Sequence, residues 1–201
     1  MRSHFLTSAL AVAALALGQT AAASPVGSHV TDVAGQGPGG PVVSPEGASL
    51  QRNDSGLSVK LTMATPAPGT YTYPSESAFQ PEGARPGHPE AFSLWVFVYN
   101  HPELCSDGVC DANDLGDTPA QGGAFNGGGH VVGGGELRLA GRVTVHDQPF
   151  VGEPVTRPRS AEVHLAVAPH GELQPDVLPD QISTPIGTPD HWWLAQFAGT
   201  P

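Results

Sequence analysis

Beyond residue 23 the chain never runs further than 12 residues without a glycine or a proline. Proline removes a donor from a helix interior, and glycine there costs about 1 kcal/mol. Long helices are therefore excluded. The longest uninterrupted stretch, Glu90 to His101, reads EAFSLWVFVYNH. Its aromatic and β-branched residues favour a strand. Leu94, Val96 and Val98 alternate with Trp95, Phe97 and Tyr99, so both faces are apolar. Such a strand belongs near the middle of a structure, covered on both sides.

Other segments alternate with a period of two, the mark of a strand with one buried face. Leu57, Val59, Leu61 and Met63 share one parity; Ser58, Lys60 and Thr62 take the other. Val163, Leu165 and Val167 alternate with Glu162, His164 and Ala166. Leu137 and Leu139, then Val143 and Val145, indicate two short strands or one broken at Gly141. Gly69 to Tyr73, His130 to Val132 and Trp192 to Ala198 are weaker candidates. Short strands separated by turn signals, with no convincing helix, predict an all-β domain: a single antiparallel β-sandwich or barrel. The glycine-rich run from Gly122 to Glu136 lacks the Lys-Ser/Thr of a phosphate-binding loop and reads as a mobile hairpin loop.

The N-terminal segment has a different character. Arg2 precedes an apolar run, Leu6 to Leu17, and Ala21-Ala22-Ala23 supplies small residues for cleavage. This is the pattern of a signal peptide over 1–23, too short in its apolar part to span a bilayer. The expected location is secreted or extracellular, or periplasmic, after cleavage near Ala23. Ser24 to Gly47 has little to bury and reads as a flexible Gly/Pro-rich arm over 24–47, with the all-β domain at 48–201. The chain carries 19 acidic against 8 basic side chains, a net charge of −11. Such a surface repels phosphate backbones and anionic membranes, so nucleic acid is excluded as a partner. No second run reaches membrane-spanning length, and an extracellular ligand or protein is the partner left open.

Cys105 and Cys110 are the two cysteines, and in an oxidising compartment they are expected to form a disulfide. The loop around them contains Asp107, Asp111, Asn113, Asp114 and Asp117, oxygen donors of the kind calcium takes. Leu115 and Gly122 stand where an EF-hand loop needs ligands, so these residues also fit ordinary turns that bond their own backbone. His101, His130, His146, His164, His170 and His191 lie in or beside expected strands, from which copper and zinc sites are built. Of these, His130, His164 and His170 are the candidate ligands. Trp95, Trp192, Trp193, Tyr71, Tyr73 and Tyr99 could line a sugar or ligand groove, although core packing is the commoner role of such aromatics. If Trp192-Trp193 is part of a strand, one of the two rings must face outward. No nucleophile elbow is present, and Ser93 and Ser160 show no partner arrangement.

Several segments, in order, carry a resemblance. They are Leu94-Trp95-Val96-Phe97, Asn100-His101-Pro102-Glu103 with Cys105, Cys110 and Asp114-Leu115. Gly129-His130-Val131-Val132-Gly133, Ala161-Glu162-Val163-His164-Leu165, His170-Gly171 and Asp180-Gln181-Ile182-Ser183-Thr184 follow. Through them the chain resembles a group of secreted bacterial all-β proteins with no assigned activity. Relatives in that group carry further cysteines near the C-terminus, where Asp190-His191-Trp192-Trp193 stands here. It is also similar, more weakly, to secreted domains of the chordin-repeat type. The resemblance implies no catalytic residues. The expected function is a secreted, non-catalytic binding or structural module of unknown ligand. The alternatives are a metal-dependent extracellular protein, with calcium at the acidic loop or copper or zinc at a histidine cluster, and last an extracellular hydrolase.

Overall fold

The computed structural model describes residues 28–36, 39–67, 69, 85–185 and 192–200. Its strands are β1 (Ser28–Gly35), β2 (Val42–Asn53), β3 (Gly56–Ala64), β4 (Glu90–Tyr99), β5 (Gly122–Val132), β6 (Glu136–Thr144), β7 (Val151–Gly152), β8 (Glu162–Glu172) and β9 (Trp193–Phe197). They form one nine-stranded sheet in the order β6-β3-β2-β1-β9-β8-β4-β5-β7, with every neighbouring pair antiparallel. The sheet curls into a half-barrel, the barrel form of the expected all-β fold. One short helix, α1 (Leu178–Ser183), packs on β4 and β5.

The period-two pattern decides which side chains turn inward. Leu50 of β2, Leu57, Val59 and Leu61 of β3, and Leu137 and Leu139 of β6 meet Phe92, Leu94, Val96 and Val98 of β4. Val163, Leu165 and Val167 of β8 and Trp193 and Phe197 of β9 complete this core. Burying each such side chain stabilises the fold by roughly 1.5–3 kcal/mol. One charged group follows the same inward parity. Arg52 of β2 is buried, and its guanidinium donates to the carbonyls of Ala161 and Ala198, joining β2 to the chain just before β8 and just after β9. Burial lowers its pKa, and the charge of Glu162 opposes that.

The seam between the two halves of the sheet is narrow. β1 and β9 pair only at Ala34 with Leu194 and Gly35 with Trp193. Opposite this seam, the curl brings β5 against β6. β5 bulges at Gly127, between the pairs Leu94–Gly128 and Trp95–Asn126. A Cβ on Gly141 of β6 would lie 2.7 Å from the Gly127 carbonyl oxygen, so this backbone approach requires glycine.

Four expectations need correction. The arm proposed for Ser24 to Gly47 is largely structured: β1 is an internal strand between β2 and β9, and β2 begins at Val42, while residues 24–27 lie outside the described residues. Low hydrophobicity misled here, because β1 buries Val33 and otherwise contributes mainly backbone hydrogen bonds to β2. The glycine run placed in a mobile loop is instead strand β5, its turn confined to 133–135. Glycines suit this strand because Gly127 meets β6 and Gly129 sits under Ile182 of α1. The break at Gly141 does not occur; β6 continues through it. Helix α1 was not expected. The proposed leader at 1–23 lies outside the described residues, as does 70–73 of the candidate strand at Gly69 to Tyr73.

Gly141→Val is expected to destabilise the protein by about 1–3 kcal/mol, as overpacking does, read as a lower midpoint in urea unfolding. An unchanged midpoint would show that β5 and β6 do not close on each other.

Candidate functional site

β4 is buried on both faces, as its sequence implied. On the outer face Trp95, Phe97 and Tyr99 stand beside His164, Ala166 and Ala168 of β8, with Leu194 and Gln196 of β9 beyond. Alanines between larger rings leave a depression. Register places Ala166 at its centre, paired with Trp95 on one side and Leu194 on the other. The result is an apolar groove of about 680 Å³.

Two walls rise from the floor. One is Val109 to Leu115, the far part of the cysteine loop; the other is Phe150-Val151 at the start of β7. Val109, Phe150 and Val151 are 55%, 61% and 46% exposed, so these apolar side chains edge the groove without being part of the core. The Phe150 ring meets Trp95 edge-on at a centroid distance of 5.5 Å. Trp192 and Pro185 line another part of the groove. Trp193 turns the other way and packs 6.4 Å from Phe92 in the core, so the two neighbouring tryptophans divide between faces as a strand demands.

The disulfide Cys105–Cys110 is present, with the Cα atoms 5.1 Å apart. It and the acidic residues shape the wall. Asp114 is buried and its carboxylate accepts from the backbone N–H of Ser106 (2.7 Å) and of Asp111 (3.0 Å). Burial alone would raise its pKa, but these hydrogen bonds outweigh that and hold it below the usual value. Asp111 accepts from the N–H of Asn113 at 2.7 Å, and Asp107 from that of Val109 at 3.1 Å. The Tyr99 hydroxyl, its pKa pushed up by burial and then by Asp111, Asp114 and Glu162, donates to the Asp111 carbonyl at 2.9 Å. The proposed calcium oxygens of Asp107, Asp111 and Asp114 are thus engaged with backbone donors. Among the described residues no three His, Cys, Asp or Glu side chains assemble as a metal site. His130 lies on β5 near the N–H of Arg138, His164 lines the groove and His170 is enclosed. Asp117 is exposed; His191, Tyr71 and Tyr73 lie outside the described residues.

Two polar features of this face were not anticipated from the sequence. His164 is buried beside Tyr99, ring centroids 5.2 Å apart, and its Nε2 lies 2.7 Å from Glu162 Oε1 and 3.3 Å from Gln196 Nε2. Glu162 and His164 are two apart on one strand and therefore share a face, a signal that was available. Further along, Ser93 Oγ lies 2.6 Å from His170 Nε2. No local pattern points to this contact, because 77 positions separate the partners. Both residues are sealed, at 0% and 1% exposure, which leaves no room for a substrate beside the serine. Gln181 of α1 closes the region, donating to the carbonyls of His170 (3.1 Å) and Glu172 (2.8 Å). Burial pushes the His170 pKa down to about 4. The Trp95 indole N–H is buried without a hydrogen-bond partner among the described residues.

No protein-family model matches the chain, and neither a curated protein nor a solved structure matches it. The resemblances drawn from sequence motifs therefore stand on those motifs alone.

Two predictions follow from the buried groups. His170 is neutral in the fold and titrates near its ordinary value of about 6.5 when unfolded. Stability should fall as the pH drops below about 6.5 and level off near 4, a loss of about 3 kcal/mol from this group. Glu90, its pKa raised first by burial, works in the opposite sense over the acid range. Urea unfolding at pH 7 and pH 4.5 checks this: His170→Gln should shrink the difference, and an equal difference in both proteins would refute it. Asp114→Ala leaves the N–H groups of Ser106 and Asp111 without their acceptor and should cost about 1–3 kcal/mol. The cost should be the same with calcium or with chelator; a calcium-dependent difference would restore the metal reading of the loop.

Proposed function

We propose that this chain is a non-catalytic binding domain that works outside the cytoplasm and holds an apolar small molecule in the outer groove. The observation that carries the reading is the groove itself: about 680 Å³, lined mainly by aromatic and aliphatic side chains and floored by strands. Ligand sites typically occupy about 300–1,000 Å³ and are mainly apolar with a few placed polar groups. A floor of paired strands holds its shape better than loops do, so a ligand would pay little to order it. The disulfide beside the groove and the export leader read from residues 1–23 support a location in an oxidising compartment. No helix among the described residues is long and apolar enough to cross a membrane. The net charge of −11 argues against nucleic acid. The metal-dependent and hydrolytic alternatives have less support, since the carboxylates of Asp107, Asp111 and Asp114 accept from backbone donors and Ser93 is sealed.

The test is to fill the floor. Ala166→Trp places a large ring at the groove's centre while leaving the inward face of β8 unchanged. Binding of the uncharged fluorescent dye N-phenyl-1-naphthylamine, followed by titration, should weaken at least tenfold, with the circular dichroism spectrum unaltered. Equal dye affinity in the two folded proteins would remove the groove as the binding site.

A further inference from the structure

Resting on the groove as a binding site, the chemistry of its floor narrows the occupant. His164 is buried, lines the groove, and has one ring nitrogen committed. Nε2 is 2.7 Å from the Glu162 carboxylate, which accepts a hydrogen bond but has none to give when ionised. The Gln196 side-chain nitrogen lies farther from Nε2, at 3.3 Å, so the closer carboxylate decides the tautomer: in the neutral imidazole the proton sits on Nε2 and the lone pair on Nδ1. The described residues offer Nδ1 no partner. The ring thus combines a carboxylate that orients it with an acceptor nitrogen, in a groove lined mostly by apolar side chains.

We infer that the groove takes an uncharged aromatic molecule bearing a hydroxyl group, with the hydroxyl donating to His164 Nδ1. Aromaticity follows from the rings of Trp95, Phe97, Tyr99 and Phe150, which present faces and edges for stacking. Neutrality follows from charge: Asp111 and Glu162 lie close by in a chain of net charge −11, so a carboxylate or phosphate on the ligand would be repelled. Sugars are disfavoured because most of their hydroxyls would lose water and find hydrocarbon. A single phenol-like hydroxyl matches the acceptor offered by His164. Glu162 acts here as a positioning residue, since it holds the tautomer without touching the ligand.

The experiment compares 2-naphthol with naphthalene on the full chain, wild type and His164→Phe, by ligand-observed NMR titration. The two probes share a ring system, and comparing their affinity ratio between the two proteins cancels their different solvation. The ratio favouring 2-naphthol should fall about fivefold in His164→Phe, the worth of one net hydrogen bond of about 1 kcal/mol. Imidazole ¹⁵N spectra of the wild type give a reading that does not depend on the variant folding. The His164 Nδ1 resonance should be that of an unprotonated nitrogen and should shift on adding 2-naphthol but not naphthalene. If both probes bind and neither the ratio nor the resonance responds, the hydroxyl assignment is overturned while the groove stands. If neither probe binds the wild type, the groove reading itself fails.

Discussion

The structure depends on one strand being covered twice. β4 gives its even-numbered apolar residues to the interior of the half-barrel and its odd-numbered rings to the outer face. A sheet covered on one side would leave Trp95, Phe97 and Tyr99 against water. Here the cysteine loop and the β6–β7 connection partly cover them, and α1 covers the end near Ser93. The cover is incomplete above Ala166, and that incompleteness is the groove.

Small residues determine where layers touch and where they do not. Gly127 and Gly141 let two backbones meet and so set the curl. Gly129 lets Ile182 of α1 seat on β5. Ala124, Ala166 and Ala168 lie on the outer face and line the groove. The same choice of small side chains lets two backbones meet at Gly127 and Gly141 and leaves a groove over Ala166.

The polar groups around the groove divide by whether the fold satisfies them. Asn100 is fully buried yet bonds to the carbonyls of Gln121 and Pro154 and the N–H groups of Thr156 and Arg157, tying the loops beside β4 together. Asp114 does the same for the disulfide loop. Such saturated groups rigidify the walls. His164 is different, because its partner occupies only one nitrogen. A ligand gains most where it meets a polar atom that the fold has not already paired.

The alternation of apolar residues and the spacing of glycine and proline were enough to establish an all-β chain, β3, β4 and β8 in detail, the facing of Trp192 and Trp193, and the disulfide. These follow from local rules: side-chain period, turn chemistry and the proximity of two cysteines. The place of β1 in the sheet, the strand nature of the glycine run and helix α1 did not follow, because their stability comes from partners distant in the chain. The acidic loop shows the limit most plainly. Its composition suggested a cation, and only the fold showed those carboxylates turned toward N–H groups of their own loop. The groove was decided by tertiary structure alone, since a cavity is a space between segments and no single segment encodes it.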